Sequence, residues 1–310
     1  MPELPEVETI VRDLRPLLVG RRIRSAGVTW DRTIAPTPST EPLGEPARAR
    51  RFCLDVAGRR ITAVTRRGKH IVLHLDDDDR LIVHLRMTGH LLWEETAPAG
   101  HAIRETGADY VYAHSDDHKH TRAVLELDGG RLRFTDTRKF GRIWLTAGDE
   151  AEAVLGDLGP EPLADDFTPA DFAARLRRRR GRIKPLLLNQ RFLAGLGNIY
   201  TDEALHQARI HPLRPASTLT DDEAAGLHAA IRRVLAAGIA NRGTSLGDPG
   251  DYRDAQGQPG GHQRHLLAYG RAGEPCVTCG TTIARIVVGG RSTHFCPRCQ
   301  RAPKEGGTPL

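Results

Sequence analysis

Residues 274–300 have the sequence EPCVTCGTTIARIVVGGRSTHFCPRCQ, which contains four of the five cysteines of the chain. They form two Cys-x2-Cys pairs, Cys276 with Cys279 and Cys296 with Cys299, separated by sixteen residues. Each pair offers two thiolates from a tight turn, and a β-hairpin between them would bring the pairs together, so the spacing predicts a tetrahedral structural zinc site. The alternatives are two disulfides, disfavoured without an export signal, and a redox pair, disfavoured by the two matched pairs. Because four protein ligands leave no open position, this zinc would stabilise a fold without taking part in chemistry.

The length and charge of the chain limit the kinds of protein to consider. Its 310 residues predict two domains, and a hydrophobic fraction of 39% is enough for packed cores. No stretch approaches the run of about eighteen apolar residues that a membrane helix needs, and the first residues do not resemble a signal peptide. The isoelectric point of about 9.3 and the clustered basic residues favour a nucleic-acid partner. The fifth cysteine, Cys53, is interpreted as a buried thiol.

The first half of the chain predicts one helix followed by β-structure. Apolar residues recur at helical spacing over 3–18, and Gly20 ends the pattern. From 22 to 146, short β-branched runs alternate with turns, including a predicted hairpin at 128–130, and this pattern indicates an antiparallel β-sandwich. Two stretches lack such a pattern and are predicted to be long irregular loops, 31–50 and 96–118.

The second half predicts helices and a basic surface. Helices are predicted over 169–179, 185–193, 199–208 and 220–241, followed by a glycine-rich polar loop over 243–265. Seven of the ten residues 175–184 are basic, and a Gly-Leu-Gly-Asn turn ending at Asn198 joins two of the helices. Such a turn can direct backbone N–H groups and a helix N-terminus at a phosphate. The same patterns are also typical of a solvated helix end and of an ordinary helical hairpin.

Taken in order, these motifs resemble the formamidopyrimidine-DNA glycosylases, bacterial enzymes that remove oxidised purines from DNA. The resemblance covers nearly the whole chain and is carried by PELPEVET, RRGKHIVL, HLRMTGHL, KHT, FTDTRKFG, LGPEPL, IKPLLLNQ, GLGNIYTDEAL, AYGRAGEPC and the four-cysteine stretch. The related endonuclease VIII branch typically begins with Pro-Glu-Gly-Pro, whereas this chain has Leu4.

The resemblance implies an α+β fold, with an N-terminal antiparallel β-sandwich and leading helix, and a C-terminal helix-two-turn-helix domain plus a four-cysteine zinc-finger hairpin. The implied boundaries are a catalytic domain over 1–146, a linker over 147–164, a helix-two-turn-helix domain over 165–265 with a lesion-capping loop over 243–265, a zinc finger over 266–302 and a tail over 303–310. DNA is expected to bend in the cleft between the sandwich and the helical domain.

The resemblance also assigns the chemistry. It implies that Met1 is removed and that the amine of Pro2 forms a Schiff base with the sugar of the damaged nucleotide. A terminal amine has a reference pKa of about 7.7, so much more of it is neutral at pH 7 than of a lysine. Glu3 is implied as the acid that protonates the opening sugar, Lys69 as a contact of the phosphate beside the lesion, and Arg291 as the finger residue that assists the second elimination. Without the resemblance, Pro2 and Glu3 would be a helix lead-in and Lys69 an exposed strand lysine.

Residues that bind DNA follow from the same motifs. His120, Arg138, Arg180 and Asn198 match phosphate contacts, although four successive arginines leave the register of Arg180 open. Met87, Arg138 and Phe140 match residues that fill the gap left by an extruded base. Apolar wedges can enter a base stack, and an arginine can bind the orphaned partner base by its edge. The alternative for Met87 is core packing.

The sequence departs from the family pattern at a few positions. Thr137 and Lys139 occupy places where the family usually has Pro and Arg. The loop 96–118 is longer than expected, and its histidines are interpreted as solvated: His101, His114 and His118. The stretch 247–266 differs in detail from the family's capping loop, so the base preference follows least directly from the resemblance.

We therefore expect a bifunctional DNA glycosylase and AP lyase that removes 8-oxoguanine and formamidopyrimidines and cuts the strand by β,δ-elimination. The expected cofactor is one structural zinc ion, and the expected partner is damaged double-stranded DNA, bound by a monomer in the bacterial cytoplasm without membrane contact. Two alternatives remain: the same chemistry on oxidised pyrimidines or abasic sites, and a zinc-ribbon protein that binds nucleic acid without chemistry.

Overall fold

The computed structural model describes residues 1–95, 119–248 and 250–302. The chain forms two compact units, Met1–Asp157 with Asn241–Gly261, and Leu158–Ala240 with His262–Leu310. The sequence prediction assigns residues 243–265 to the helical domain. In the structure, the segment Asn241–Gly261 groups with the first unit, because Tyr252 and Ala255 pack into the core of that unit. The other domain boundaries remain predictions. The predicted loop 96–118, with its three histidines, and the tail 303–310 lie outside the described residues.

Helix α1, Leu4–Leu18, begins the first unit and confirms the predicted helix. Pro5 lies in its first turn, where the missing N–H of proline has no partner to lose. The apolar residues at helical spacing are almost completely buried, namely Val7, Ile10, Val11, Leu14 and Leu18. Because this stripe belongs to the same core as the β-strands, α1 fixes the N-terminus of the chain on the first unit.

Two four-stranded antiparallel sheets form the predicted sandwich, with strand orders β1-β6-β7-β5 and β2-β3-β4-β8. The strands are β1 Ile23–Val28, β2 Ile61–Arg67, β3 His70–Leu75, β4 Arg80–His84, β5 Gly89–Glu95, β6 Thr121–Leu127, β7 Gly130–Asp136 and β8 Arg142–Thr146. Buried and half-buried residues alternate along β5 and β7, as expected of strands with one face on a core. Side chains from both sheets share one hydrophobic core.

The hairpin between β6 and β7 is the one predicted from the Asp-Gly-Gly sequence. Asp128 and Gly129 form its two-residue turn, since Leu127 pairs with Gly130. Gly129 has a φ of +81°, which favours glycine. The second glycine, Gly130, is needed for packing, because a Cβ at this position would collide with the Trp93 ring.

Helix α2, Glu45–Val56, corrects the sequence prediction, which gave an irregular loop to residue 50 and a short β-run after it. Gly44 is its N-cap, and a proline lies in the first turn. The buried residues recur at helical spacing, namely Arg48, Ala49, Phe52 and Val56. The helical spacing was not recognised in the sequence because one residue of this buried face, Arg48, is charged. It is buried because its guanidinium donates to the carbonyls of Ile34 (2.9 Å) and Leu43 (3.0 Å). A short helix, α3 Ala151–Leu155, follows the last strand of the sandwich.

Four α-helices occur in the described part of the second unit, α4 Pro169–Arg177, α5 Ile183–Leu188, α6 Asn198–Gln207 and α7 Asp221–Ala240. Helix α5 ends at Leu188, so the prediction of a helix to residue 193 was wrong. The carbonyl of Asn189 accepts the N–H groups of both Phe192 (2.9 Å) and Leu193 (3.1 Å), and its side chain accepts that of Arg191 (3.0 Å). These bonds close a turn after α5 in place of another helical turn.

The last secondary-structure element in the described part of the chain is an antiparallel hairpin of β9 Ala284–Val288 and β10 Arg291–Phe295. Gly289 and Gly290 form its turn with φ of +57° and +73°, which suits the two-residue turns of tight hairpins. Across the described ranges, the structure contains no helix with the length and apolar character needed to cross a membrane.

Candidate active site and nucleic-acid interface

The first residues of the chain are held by one carboxylate of α1. Pro2 and Glu3 are buried, and Glu3 is 2% exposed, whereas Met1 is 43% exposed. The Glu3 N–H donates to Glu6 Oε2 (2.8 Å), and Glu6 Oε1 accepts the N–H of Thr244 (2.7 Å). Glu6 therefore ties the start of α1 to the segment Asn241–Gly261. This arrangement fixes the backbone directly after Pro2.

Lys69 lies in the two-residue turn between β2 and β3 and is 6% exposed. It is therefore not the exposed strand lysine that was the alternative. The neighbouring His70 contacts His84 edge-on, with ring centroids 4.6 Å apart. Burial, together with cations that include Arg86 and Lys69, lowers the pKa of His70 to about 4, and burial lowers the pKa of His84 in the same direction. Both rings are thus neutral at pH 7, and the positive charge here comes from lysine and arginine.

The pairing of three strands brings four of the predicted residues of the first unit to one end of a sheet. His70 pairs with His84, and His84 pairs with Arg142. The turn before β3, the turn after β4 and the loop before β8 therefore lie side by side. These segments carry, respectively, Lys69, Met87, and Arg138 with Phe140.

The three residues predicted to fill a base gap lie on two of these segments. Met87 is half-buried in the turn after β4, while Arg138 and Phe140 are exposed in the loop before β8. Phe140 is 48% exposed, and the Arg138 guanidinium carbon lies 5.0 Å from the centre of its ring. The hydroxyl of Thr88 accepts the N–H of Arg138 (3.1 Å), so the two segments are in direct contact. Met87 is thus beside the other two residues and not fully in the core.

Sequence analysis missed Asp136, whose carboxylate bonds to both of these segments. The sequence FTDTRKFG shows a carboxylate at the end of a β-strand, before a turn. Nothing in the sequence indicates which residues this carboxylate binds. His120, predicted to contact phosphate, is exposed just before β6, and its carbonyl accepts the N–H of Asp136 (2.9 Å). His120 therefore lies near the same end of the first unit.

In the second unit, the structure places the predicted phosphate contacts in two settings. Arg180 follows α4 in a stretch where Arg177 to Arg180 are all exposed, so the register within this run stays a prediction. Asn198 is the first residue of α6, and its Nδ2 donates to the carbonyl of Ser292 (2.9 Å). Its buried Oδ1 has no hydrogen-bond partner in the described parts of the chain. Asn198 thus contacts the zinc-finger hairpin as well as marking a helix N-terminus.

Arg291 is exposed at the start of β10, directly after the Gly-Gly turn. The backbone that follows it in β10 is bound by a buried ion pair that sequence analysis missed. Lys184 Nζ lies 2.6 Å from Asp202 Oδ1 and donates to the Ser292 carbonyl (3.0 Å), with both charged side chains fully buried. The other Asp202 oxygen accepts the N–H of His294 (2.8 Å). The lone lysine in the apolar run IKPLLL was the only sequence signal of this pair.

The four cysteines of the hairpin form a metal site. Their Sγ atoms all lie within 4.8 Å of one another, and none of them forms a disulfide. Cys276 and Cys296 are buried, and the other two are partly buried. His206 Nε2 lies 3.5 Å from Cys276 Sγ, which is the kind of neighbour that supports a metal-bound thiolate. This set of four sulfur donors fits one tetrahedral zinc ion, which holds the hairpin together, as predicted.

Three family models match the chain in the order of these structural parts. They are the formamidopyrimidine-DNA glycosylase N-terminal domain over residues 1–143, the H2TH domain of the same glycosylases over 158–249, and the zinc finger found in FPG and IleRS over 273–302. Among curated relatives, formamidopyrimidine-DNA glycosylases from Chloroflexus aggregans and Herpetosiphon aurantiacus are each 49% identical to this chain. The aligned regions cover 97% of this chain and 98% and 100% of those two proteins.

Solved structures give the same match. The MutM (FPG) protein of Thermus thermophilus is 41% identical, with a TM-score of 0.79 over 96% of this chain and 98% of that protein. A Lactococcus lactis FPG mutant in complex with Fapy-dG containing DNA is 34% identical, with a TM-score of 0.80 over 97% and 100% of the two chains. With the family models, the relatives and the fold in agreement, this chain belongs to the formamidopyrimidine-DNA glycosylase family.

Proposed function

We propose that this chain is a bifunctional DNA glycosylase and AP lyase that excises oxidised purines from duplex DNA. The observation that supports this proposal most directly is the structure of the N-terminus. Pro2 and Glu3 are buried there, and Glu6 accepts the Glu3 N–H, in a chain 49% identical to formamidopyrimidine-DNA glycosylases. Solved relatives are bound to DNA that contains Fapy-dG, 8-oxoguanine in carbocyclic form, or an abasic site. We infer the same class of substrate for this protein.

The proposed chemistry uses Pro2 as the nucleophile after Met1 is removed. The Pro2 nitrogen forms a bond to C1′ of the damaged nucleotide, while the bond from C1′ to the base breaks and its electron pair leaves with the base, which takes up a proton. Glu3 donates a proton to O4′ as the sugar ring opens, which leaves an iminium ion on Pro2. Loss of a proton from C2′ then expels the 3′ phosphate by β-elimination, and loss of a proton from C4′ expels the 5′ phosphate by δ-elimination.

Lys69 and Arg291 are proposed to act on the phosphates that flank the lesion. Lys69 is a buried cation in a turn beside two neutral histidines, so its charge is poorly screened by solvent. Arg291 is exposed on a hairpin that zinc makes rigid, and we assign it to the second elimination.

We further propose that His120, Arg138, Arg180 and Asn198 bind phosphates, and that Met87, Arg138 and Phe140 fill the space vacated by the damaged base. The exposed Phe140 and the half-buried Met87 support this assignment, since an apolar wedge must be accessible to enter a base stack. With chromosomal DNA as its substrate, the protein is proposed to work as a monomer in the cytoplasm.

Borohydride trapping tests the function and the nucleophile together. The purified protein is mixed with a duplex carrying 8-oxoguanine opposite cytosine, reductant is added, and the covalent protein–DNA adduct is measured. We expect an adduct from the unchanged protein, strong loss in Pro2→Gly, and a loss of about 100-fold or more in the rate for Glu3→Gln. Glu8→Gln is the matched control, because Glu8 lies on the same helix but pairs with Arg12 and Arg66.

The choice of DNA separates the proposal from its alternatives. An adduct only with abasic or oxidised-pyrimidine duplexes would keep the chemistry and overturn the purine substrate. If a protein with a verified Pro2 terminus forms no adduct with any lesion, the chain binds nucleic acid without this chemistry.

A further inference from the structure

Asp136 is a buried carboxylate between two surface loops, and it is 1% exposed. Its Oδ1 accepts the hydroxyl of Thr88 (2.5 Å) and the backbone N–H of Arg138 (3.1 Å). Its Oδ2 accepts the backbone N–H of Gly141 (2.7 Å). Hydrogen bonds to an ionised carboxylate are about twice as strong as those between neutral groups. One side chain therefore connects the turn after β4 with both ends of the loop before β8.

The bonds of Asp136 surround the residues assigned to gap filling. Met87 directly precedes Thr88, and Phe140 lies between Arg138 and Gly141. None of these contacts uses the Met87, Arg138 or Phe140 side chains, which stay available to DNA. Asp136 is thus placed to control where the three side chains point without touching DNA itself.

Both segments contain backbone that needs support. Arg86, beside Met87, has a φ of +57°, and Lys139, beside Phe140, has a φ of +61°. Residues other than glycine rarely adopt this left-handed conformation, which persists only where the surroundings hold it. Asp136 supplies such a restraint to both segments.

Two glycines allow close packing within these two segments. A Cβ at Gly141 would collide with the Phe134 ring, and a Cβ at Gly89 would collide with the Leu85 carbonyl. The loop before β8 is therefore closely packed against the sandwich, and the turn after β4 is itself tightly closed.

We propose that Asp136 is a positioning residue for base extrusion, which holds Met87 on one loop and Arg138 with Phe140 on the other as a single rigid wedge. This inference rests on the proposed function, because it concerns the opening of a base stack. The three side chains come from two segments far apart in sequence, so their joint geometry needs a connection that neither loop supplies alone. A misplacement of about 1 Å in such a constellation costs about 100-fold in rate.

The first test compares two DNA substrates in single-turnover reactions with Asp136→Asn. A duplex with 8-oxoguanine opposite cytosine must be opened, whereas a single strand with an abasic site has neither a damaged base nor an opposing strand. We expect base excision from the duplex to slow by about 100-fold, as misplacement of the wedge predicts, and trapping on the single strand to stay within about threefold of the unchanged protein. Asp128→Asn is the matched control, since Asp128 lies at the other end of the β6–β7 hairpin.

A second pair of variants keeps the test decisive if Asp136→Asn does not fold. Thr88→Val removes the hydroxyl that Asp136 binds but keeps the shape of the side chain, and Thr88→Ser keeps the hydroxyl. We expect Thr88→Val to slow duplex excision by at least about tenfold, because it removes the hydrogen bond to the Asp136 carboxylate and the one from the Arg138 N–H, and Thr88→Ser to restore the rate. Combining Thr88→Val with Phe140→Ala should cost less than the sum of the two single changes, because both remove the same wedge.

The outcomes separate this inference from the proposed function. If the unchanged protein excises 8-oxoguanine while Thr88→Val does so at the same rate, the inference is overturned and the function stands. Equal losses for Thr88→Val on the duplex and on the single strand would also overturn it, because a defect outside base extrusion would then explain the change. An unchanged protein that forms no adduct with any DNA would remove the proposed function itself.

Discussion

Among single residues, His70 gives the stability of the first unit a dependence on pH. Its folded pKa of about 4 lies below the ordinary value of 6.5, mainly because the ring is buried. Between these two values the unfolded chain binds a proton that the folded chain does not, so the stabilisation is complete above pH 6.5 and is lost as the pH falls towards 4. The loss amounts to about 3 kcal/mol, at about 1.4 kcal/mol per pKa unit. Protonation of His84 acts in the same direction.

The prediction is checked by urea unfolding between about pH 7.5 and about pH 4.5, a range that spans most of the titration. We expect the free energy of unfolding to fall on acidification, and to fall less steeply in His70→Phe, which keeps an aromatic ring against His84 but cannot take up a proton. Identical pH profiles for the two proteins would show that His70 is not the group responsible.

At the scale of elements, β10 depends on helices α5 and α6 as well as on zinc. Lys184 and Asp202 are both fully buried, and together they bind the backbone of β10 at Ser292 and His294. Removing one charge leaves the other buried without its partner, which costs about 3 to 5 kcal/mol. We therefore expect Lys184→Met to lower the thermal stability of the second unit strongly, while the four cysteines still bind one zinc ion.

The double variant Lys184→Met with Asp202→Leu is the control for charge. Replacing a buried ion pair by apolar residues of similar size is often close to neutral, so this variant should recover much of the lost stability. Calorimetry of the zinc-loaded protein measures the effect. A double variant no more stable than Lys184→Met would mean that packing or the backbone contacts, and not the unpaired carboxylate, account for the loss.

Most of the features that the sequence did not predict depend on contacts between residues far apart in the chain, unlike those that it predicted. Helix α1, the β6–β7 hairpin and the four-cysteine zinc site are specified by residues close together in the chain, so periodicity, turn chemistry and spacing were sufficient. Helix α2 was missed because an arginine occupies its buried face. The Lys184–Asp202 and Thr88–Asp136 contacts join residues far apart in sequence, and no local pattern gives the partner of a buried charge.

At the scale of the whole molecule, the net charge of +6 does not by itself give the number of cations available to DNA. Several exposed arginines are already neutralised within the protein, such as Arg51 by Asp55 and Arg24 by Asp128. In contrast, no carboxylate of the described residues forms an ion pair with Arg138 or Arg291. The residues that bind phosphate are therefore expected to be those without an internal partner, and their number, not the net charge, should set the salt dependence.

This expectation can be measured as the slope of log affinity against log salt concentration for a duplex with a stable abasic-site analogue. Each phosphate neutralised by a cation releases counterions and adds about −0.9 to that slope. Arg291→Gln should weaken binding and make the slope less steep by about one. Arg51→Gln removes the same charge from the chain but from an internal ion pair, so it should leave the slope unchanged. Equal changes for both variants would indicate that total charge governs binding, and a flat slope for the unchanged protein would contradict the assigned basic surface.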